Sequence, residues 1–208
     1  MEQGSTEWFA ARAGKATASK IADIIAKTKA GWSTSRKNYA AELIAQRLTG
    51  VAPEGFTNAA MQWGIDTEAA AREAYERHAL LGVELVAFVD HPTIEMSGAS
   101  PDGLVGDDGL VEIKCPLTAT HIDTLLLGKI PGRYATQMDW QMACTGRQWC
   151  DFVSYDPRLP EAMQLFVKRH ERDDERIAQL EEHVYDFLAE VAETVAKLRE
   201  QFEMKEAA

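Results

Sequence analysis

Apolar residues in this chain recur with two periods, and the periods separate helices from strands. Steps of three and four mark helices. Ile21, Ile24 and Ile25 follow a Thr17-Ala18-Ser19 cap, and Tyr39, Leu43, Ile44 and Leu48 share one face over residues 38–48 until Gly50 and Pro53 end it. Further helices are predicted over 59–81 (stopped by Gly82), about 121–127, and 134–145. A long final helix is drawn by Leu180, Val184, Phe187, Val191, Val195, Leu198 and Phe202. Short apolar and alternating runs predict strands at 83–89, from 94–96, at 110–114, at 149–155, and an edge strand at 163–168. Leu104-Val105 and 110–114 flank Gly106-Asp107-Asp108-Gly109 and read as a β-hairpin. Residues 28–35 are small and polar and read as a flexible basic loop. Helices flanking a mixed sheet predict the α/β (α+β) class in one domain, 1–208, with no interdomain linker.

Composition narrows the class. No apolar run approaches the roughly 18 residues of a membrane helix. The first residues lack a basic segment followed by an apolar one, so no secretory signal is expected and the chain is placed in the cytoplasm. Cys115, Cys144 and Cys150 form no CxxC pair and read as reduced thiols. His78, His91, His121, His170 and His183 make no HxH or HExxH pattern and are taken as structural. The net charge of −11 argues against nucleic-acid binding until its distribution is inspected. Residues 171–208 carry net −7, whereas residues 12–47 carry net +6. A basic N-terminal third is therefore masked by an acidic tail, and local charge decides where a polyanion docks.

The chemistry concentrates in Ser100-Pro101-Asp102 and, nine residues on, Glu112-Ile113-Lys114. Residues two apart on a strand share a face, so Glu112 and Lys114 point together. The hairpin returns Asp102 beside them. Two carboxylates and an ammonium form a hard-oxygen site suited to Mg²⁺ and phosphate chemistry. The plain alternative is a Pro-Asp-Gly turn before an ordinary alternating strand. The register discriminates. Pairing Val105 with Leu110 would set Gly103 opposite Glu112 and turn Asp102 to the other face. A two-carboxylate site therefore demands an odd-length loop or a β-bulge, for which Gly103 is the natural place. Glu68, Arg72 and Tyr75 share a helical face, and the spacing alone suggests a solvated Glu–Arg pair.

Four ordered strings resemble the phage lambda exonuclease family of alkaline exonucleases, within the restriction-endonuclease-like nucleases. They are Trp8-Phe9-Ala10-Ala11-Arg12 through Ser19; Trp63-Gly64 with Glu68, Ala71-Arg72 and Tyr75; Ser100-Pro101-Asp102-Gly103-Leu104 through Gly109-Leu110-Val111-Glu112-Ile113-Lys114-Cys115-Pro116; and Tyr134-Ala135-Thr136-Gln137 with Met142. Tyr155-Asp156-Pro157-Arg158 and the acidic last helix also fit, so the resemblance spans residues 8 to about 200.

The resemblance implies a restriction-endonuclease-like core and a Mg²⁺-dependent 5′→3′ exonuclease. Such an enzyme degrades linear duplex DNA to mononucleotides and leaves a 3′ single strand, in phage-type recombination. It implies two Mg²⁺ per site, with Mn²⁺ able to substitute. Asp102, Glu112 and the Ile113 carbonyl match the metal ligands, Lys114 the residue acting on the nucleophilic water, and Glu68 a glutamate near the metals. Arg12, Ser19, Ser100 and Gln137 match a pocket for the terminal 5′-phosphate. Position 139, often glutamine in the family, is Asp139 here, where a carboxylate would repel DNA. Met61 matches a wedge residue at the DNA end or is a core methionine. Lys29 matches a groove-reaching residue or is a solvated loop lysine. A ring-shaped homotrimer and a single-strand-annealing partner are also implied. The competing readings are a structure-specific endonuclease of the same fold and a catalytically idle DNA-end-binding module. Arg12 and Ser19 speak against the first, and the intact Asp102, Glu112 and Lys114 against the second.

Overall fold

The computed structural model describes residues 3–51 and 58–206. Ser5 caps the first helix, α1 (Thr6–Arg12), by accepting from the Trp8 N–H. Strand β1 (Ala16–Thr17) leads through a 3₁₀ turn (Ala18–Lys20) into α2 (Ile21–Ile24). The expected flexible loop is instead a small hairpin, β2 (Lys27–Thr28) with β3 (Gly31–Trp32), followed at once by α3 (Thr34–Thr49). Ser33 starts that helix early because its hydroxyl accepts from the Arg36 N–H. After α4 (Ala59–Ala79), Leu80 adopts a left-handed φ of 55° and ends the helix two residues before Gly82.

The predicted strand at 83–89 divides into β4 (Val83–Glu84) and β5 (Val89–Asp90), which join different sheets. The Phe88 ring between them lies over Gly98, where an added Cβ would come within 2.4 Å of it, so the crossing needs glycine there. The next strand, β6 (Ser97–Ala99), starts after Met96, whose φ of 60° is incompatible with extended pairing. The chain continues through β7 (Gly103–Val105), β8 (Gly109–Lys114), α5 (Thr118–Leu127), α6 (Gly132–Thr145), β9 (Trp149–Tyr155), β10 (Leu165–Glu171) and α7 (Asp174–Glu206).

A five-stranded sheet in the order β10-β9-β8-β7-β4 forms the centre; β8 and β9 run parallel and the other pairs antiparallel. Its two faces are covered by different helices. Val111, Ile113, Val153 and Tyr155 pack on Ala71 and Tyr75 of α4. Leu110, Cys150 and Phe152 pack on Met138 and Met142 of α6. A second core joins α2, α3 and α7 around Ile21, Leu43, Val184 and Phe187, beside the small sheet β1-β6-β5. The acidic last helix meets the basic N-terminal third there. Arg36 donates two hydrogen bonds to Glu190, at 2.8 and 3.0 Å. Part of the charge asymmetry seen in the sequence is thus neutralised inside the fold. No helix among the described residues is long and apolar enough to cross a membrane.

Candidate active site

The site is set by the turn between β7 and β8. Val105 pairs with Gly109, Leu104 with Leu110 and Gly103 with Val111. The loop is therefore the three residues Gly106-Asp107-Asp108, an odd number, entered through a left-handed Gly106. Gly103 pairs regularly, so the parity shift comes from loop length and not from a bulge. Arg147 Nη1 donates to the carbonyls of Gly106 (2.8 Å) and Gly109 (2.7 Å), bracing the turn from outside. One residue beyond the Gly103–Val111 pair, Asp102 falls opposite Glu112, on the side of the sheet that faces α6.

Asp102 and Glu112 are held by different means. Asp102 Oδ2 accepts the Ile113 N–H at 2.6 Å. Glu112 is fully buried. Its Oε1 accepts from Gln137 Nε2 at 2.7 Å and from the Lys114 ammonium, and its Oε2 accepts from Gln141 Nε2 at 2.6 Å. Burial and the adjacent Glu112 carboxylate push the Asp102 pKa well above the usual carboxylate range, with Lys114 opposing. Burial alone would depress the Lys114 ammonium; Glu112 and Asp102 outweigh it and hold its pKa above that of an ordinary lysine. Two carboxylates share one cation, and the residual negative charge is what a hard divalent ion would relieve. The donor set therefore fits Mg²⁺.

Glu68 belongs to α4, on the opposite face of the sheet. It is half-buried, 3.9 Å from Arg72, and burial raises its pKa; Lys114 and Glu112 both act on it electrostatically. It stands near the pair without closing a cage: among the described residues no three His, Cys, Asp or Glu side chains converge on one metal position.

Two residues before Asp102, Ser100 Oγ accepts from Trp8 Nε1 at 2.9 Å and Arg12 Nη1 at 3.1 Å, and the Arg12 guanidinium stacks 3.9 Å above the Trp8 ring. Arg12 and Ser100 are thus joined, with Trp8 as a partner that the sequence did not single out. Ser19 is exposed, in the 3₁₀ turn that packs against α6 and β6. Gln137 donates to Glu112, so its amide is engaged with the carboxylates. Lys29 is exposed at the tip of the β2–β3 hairpin. Met61 is 51% exposed near the start of α4, which removes the core-methionine reading. Asp139 is fully buried and accepts from His170 and Arg176, each at 2.6 Å, so it clamps α6 to β10 and α7.

A model of the YqaJ-like viral recombinase domain matches residues 7–148. The chain belongs to that family. Two crystal structures of the alkaline exonuclease LHK-Exo from Laribacter hongkongensis are 54% identical to this chain, and the match covers 96% of this chain and 99% of each of theirs. Their TM-scores are 0.90 and 0.91, and the second is a complex with dAMP. A phage related exonuclease from Haemophilus somnus 129PT, 16% identical over 88% of this chain and 96% of its own, shares the fold with a TM-score of 0.70. None of the curated proteins compared with the chain matches it. The alkaline exonuclease resemblance drawn from the sequence, the nuclease class and the mixed α+β fold with a long C-terminal helix are those of this YqaJ-like family member.

Proposed function

We propose that this family member is a Mg²⁺-dependent 5′→3′ exonuclease that degrades linear double-stranded DNA from 5′-phosphorylated ends to mononucleotides and a 3′ single-stranded tail. The observation that carries the reading is the odd turn, which sets Asp102 opposite Glu112 beside Lys114, two residues from a serine held by Arg12. Asp102, Glu112 and the Ile113 carbonyl would hold the cation, with Glu68 approaching from the other face. When bound, the ion supplies Lewis-acid activation and neutralises charge developing on the scissile phosphate. Lys114 is charged, so its Nζ orients the attacking water as a donor. Arg12 offers a planar, permanently charged fork to the terminal phosphate and Ser100 a neutral hydroxyl. Trp8 holds both in place. Lys29 on its hairpin tip and Met61 at the start of α4 are the candidate contacts to the duplex.

A ring-shaped homotrimer around DNA, a single-strand-annealing protein as recombination partner, and the cytoplasm of a bacterial host carrying a phage or prophage complete the proposal. The test is digestion of linear duplex DNA with and without a 5′-phosphate, in Mg²⁺ and in EDTA, with closed circular DNA as control. Exonuclease action requires loss of linear DNA only, in Mg²⁺ only, with preference for the phosphorylated end. Cutting of the circle would favour an endonuclease, and inert binding would favour an end-binding module.

A further inference from the structure

We propose that Gln141 is a positioning residue of this site: it fixes the plane of the Glu112 carboxylate and so sets the affinity for the divalent cation. The inference rests on the reading of Asp102 and Glu112 as cation ligands. A fully buried carboxylate must be satisfied by donors supplied from the fold. On Glu112 these are unevenly shared. Oε1 has two, the Gln137 amide and the Lys114 ammonium, whereas Gln141 is the donor on Oε2.

Gln141 is itself fully buried and tethered at both ends of its amide. Nε2 donates to Glu112 at 2.6 Å, and Oε1 accepts from the Cys150 thiol at 3.9 Å. The carboxylate, an acceptor only, fixes which way the amide faces, and the thiol supports that orientation from the far end. Turned over, the amide would set its carbonyl oxygen against a carboxylate oxygen and leave the thiol without its acceptor. Gln137 differs in being partly exposed and in sharing its acceptor atom with Lys114. The two glutamines are four residues apart on α6, so both amides project from one helical face toward β8. Together they grip both oxygens of Glu112 and leave it few orientations. A glutamine neither gives nor takes a proton at neutral pH, so its influence on the reaction passes through Glu112. Groups that orient a metal ligand in this manner typically change metal affinity or activity ~10–100-fold when removed.

The experiment is Mn²⁺ binding to the full chain without DNA, followed by calorimetry and electron paramagnetic resonance, for the native protein and Gln141→Met. The variant should bind Mn²⁺ ~10–100-fold more weakly. Its KM for linear duplex DNA should stay unchanged, and kcat should recover as Mn²⁺ is raised. An unchanged Mn²⁺ affinity in a folded Gln141→Met protein overturns the proposal. If that variant does not fold, Cys150→Ala decides, since it frees the far end of the amide and keeps the donor to Glu112. It should show a smaller loss in the same direction, and an unchanged affinity again overturns the role. Absence of Mn²⁺ binding by the native protein would instead overturn the cation site itself, a separate failure.

Discussion

Replacing Lys114 with methionine separates what the ammonium does for the fold from what it does for the reaction. Its side chain is 28% exposed and donates to a fully buried Glu112. Breaking a buried ion pair by removing one partner costs about 3–5 kcal/mol, because the other charge is left uncompensated. Glu112 keeps its Gln137 and Gln141 donors, so the lower figure applies. For a domain of this size about 1 kcal/mol corresponds to about 2–4 °C, so the metal-free melting temperature should fall by roughly 6–12 °C. Millimolar Mg²⁺ should recover much of that loss, because it neutralises the same carboxylates and binds only the folded state. Cleavage should not recover. A positioned group acting on the attacking water is worth roughly 10²–10⁴-fold, and Mg²⁺ does not replace it. Thermal melts with and without Mg²⁺, paired with digestion of linear duplex DNA, read both effects. Digestion near the native rate, or a melting temperature insensitive to the substitution, would refute the reasoning.

Arg12→Ala should slow digestion of 5′-phosphorylated ends at least tenfold and of 5′-hydroxyl ends far less, since a charge-assisted phosphate contact contributes about 1.5–3 kcal/mol; equal slowing on both ends would make Arg12 a general backbone contact. Cys115, Cys144 and Cys150 are buried, and burial pushes the Cys115 thiol up to about 12. A thiol reagent at neutral pH should therefore label none of them in the native protein and all three in denaturant, and rapid native labelling would contradict the packing. Arg158 holds the Asp156 carboxyl down at about 2. A depressed folded pKa contributes stability above the unfolded value of about 3.9 and loses it as pH falls through about 2. The stability gap between native protein and Asp156→Asn should accordingly be constant at neutral pH and close between about pH 4 and pH 2, as followed by urea denaturation.

Local pattern made much of this molecule legible. Strand β9 lies where its apolar run placed it, and α3, α4 and α6 lie within a few residues of their periodic stretches. The need for an odd turn was also readable, because side-chain alternation is strict and two carboxylates either share a face or do not. What the sequence could not carry was long-range. Residues 83–89 look like one strand because β-propensity is local, and only the crossing at Phe88 and Gly98 shows that the segment leaves one sheet for another. The sequence put a phosphate-contacting role for Asp139 in doubt but could not say what the carboxylate does instead; its partners His170 and Arg176 lie more than thirty residues away. Gln141 gave no signal, since one amide on a helix is unremarkable until the fold aims it at Glu112. The nearest available cue was its four-residue spacing from Gln137 on the face that packs against the sheet.

The β7–β8 turn also constrains how this protein can change over generations. Exposed tips of surface loops usually accept insertions and deletions freely, because little packs against them. Gly106, Asp107 and Asp108 are all exposed, yet their number is fixed by arithmetic. Losing or gaining one residue while keeping the strands paired would move Asp102 to the side that packs on α4, and would move Val105 from the α4 core to the α6 side. Gaining two would restore both. Drift in this loop is therefore expected to proceed in even steps, and single-residue variants should disappear from lineages that still need the site. Arg147, reading carbonyls on either side of the turn, serves as the gauge against which its length is checked.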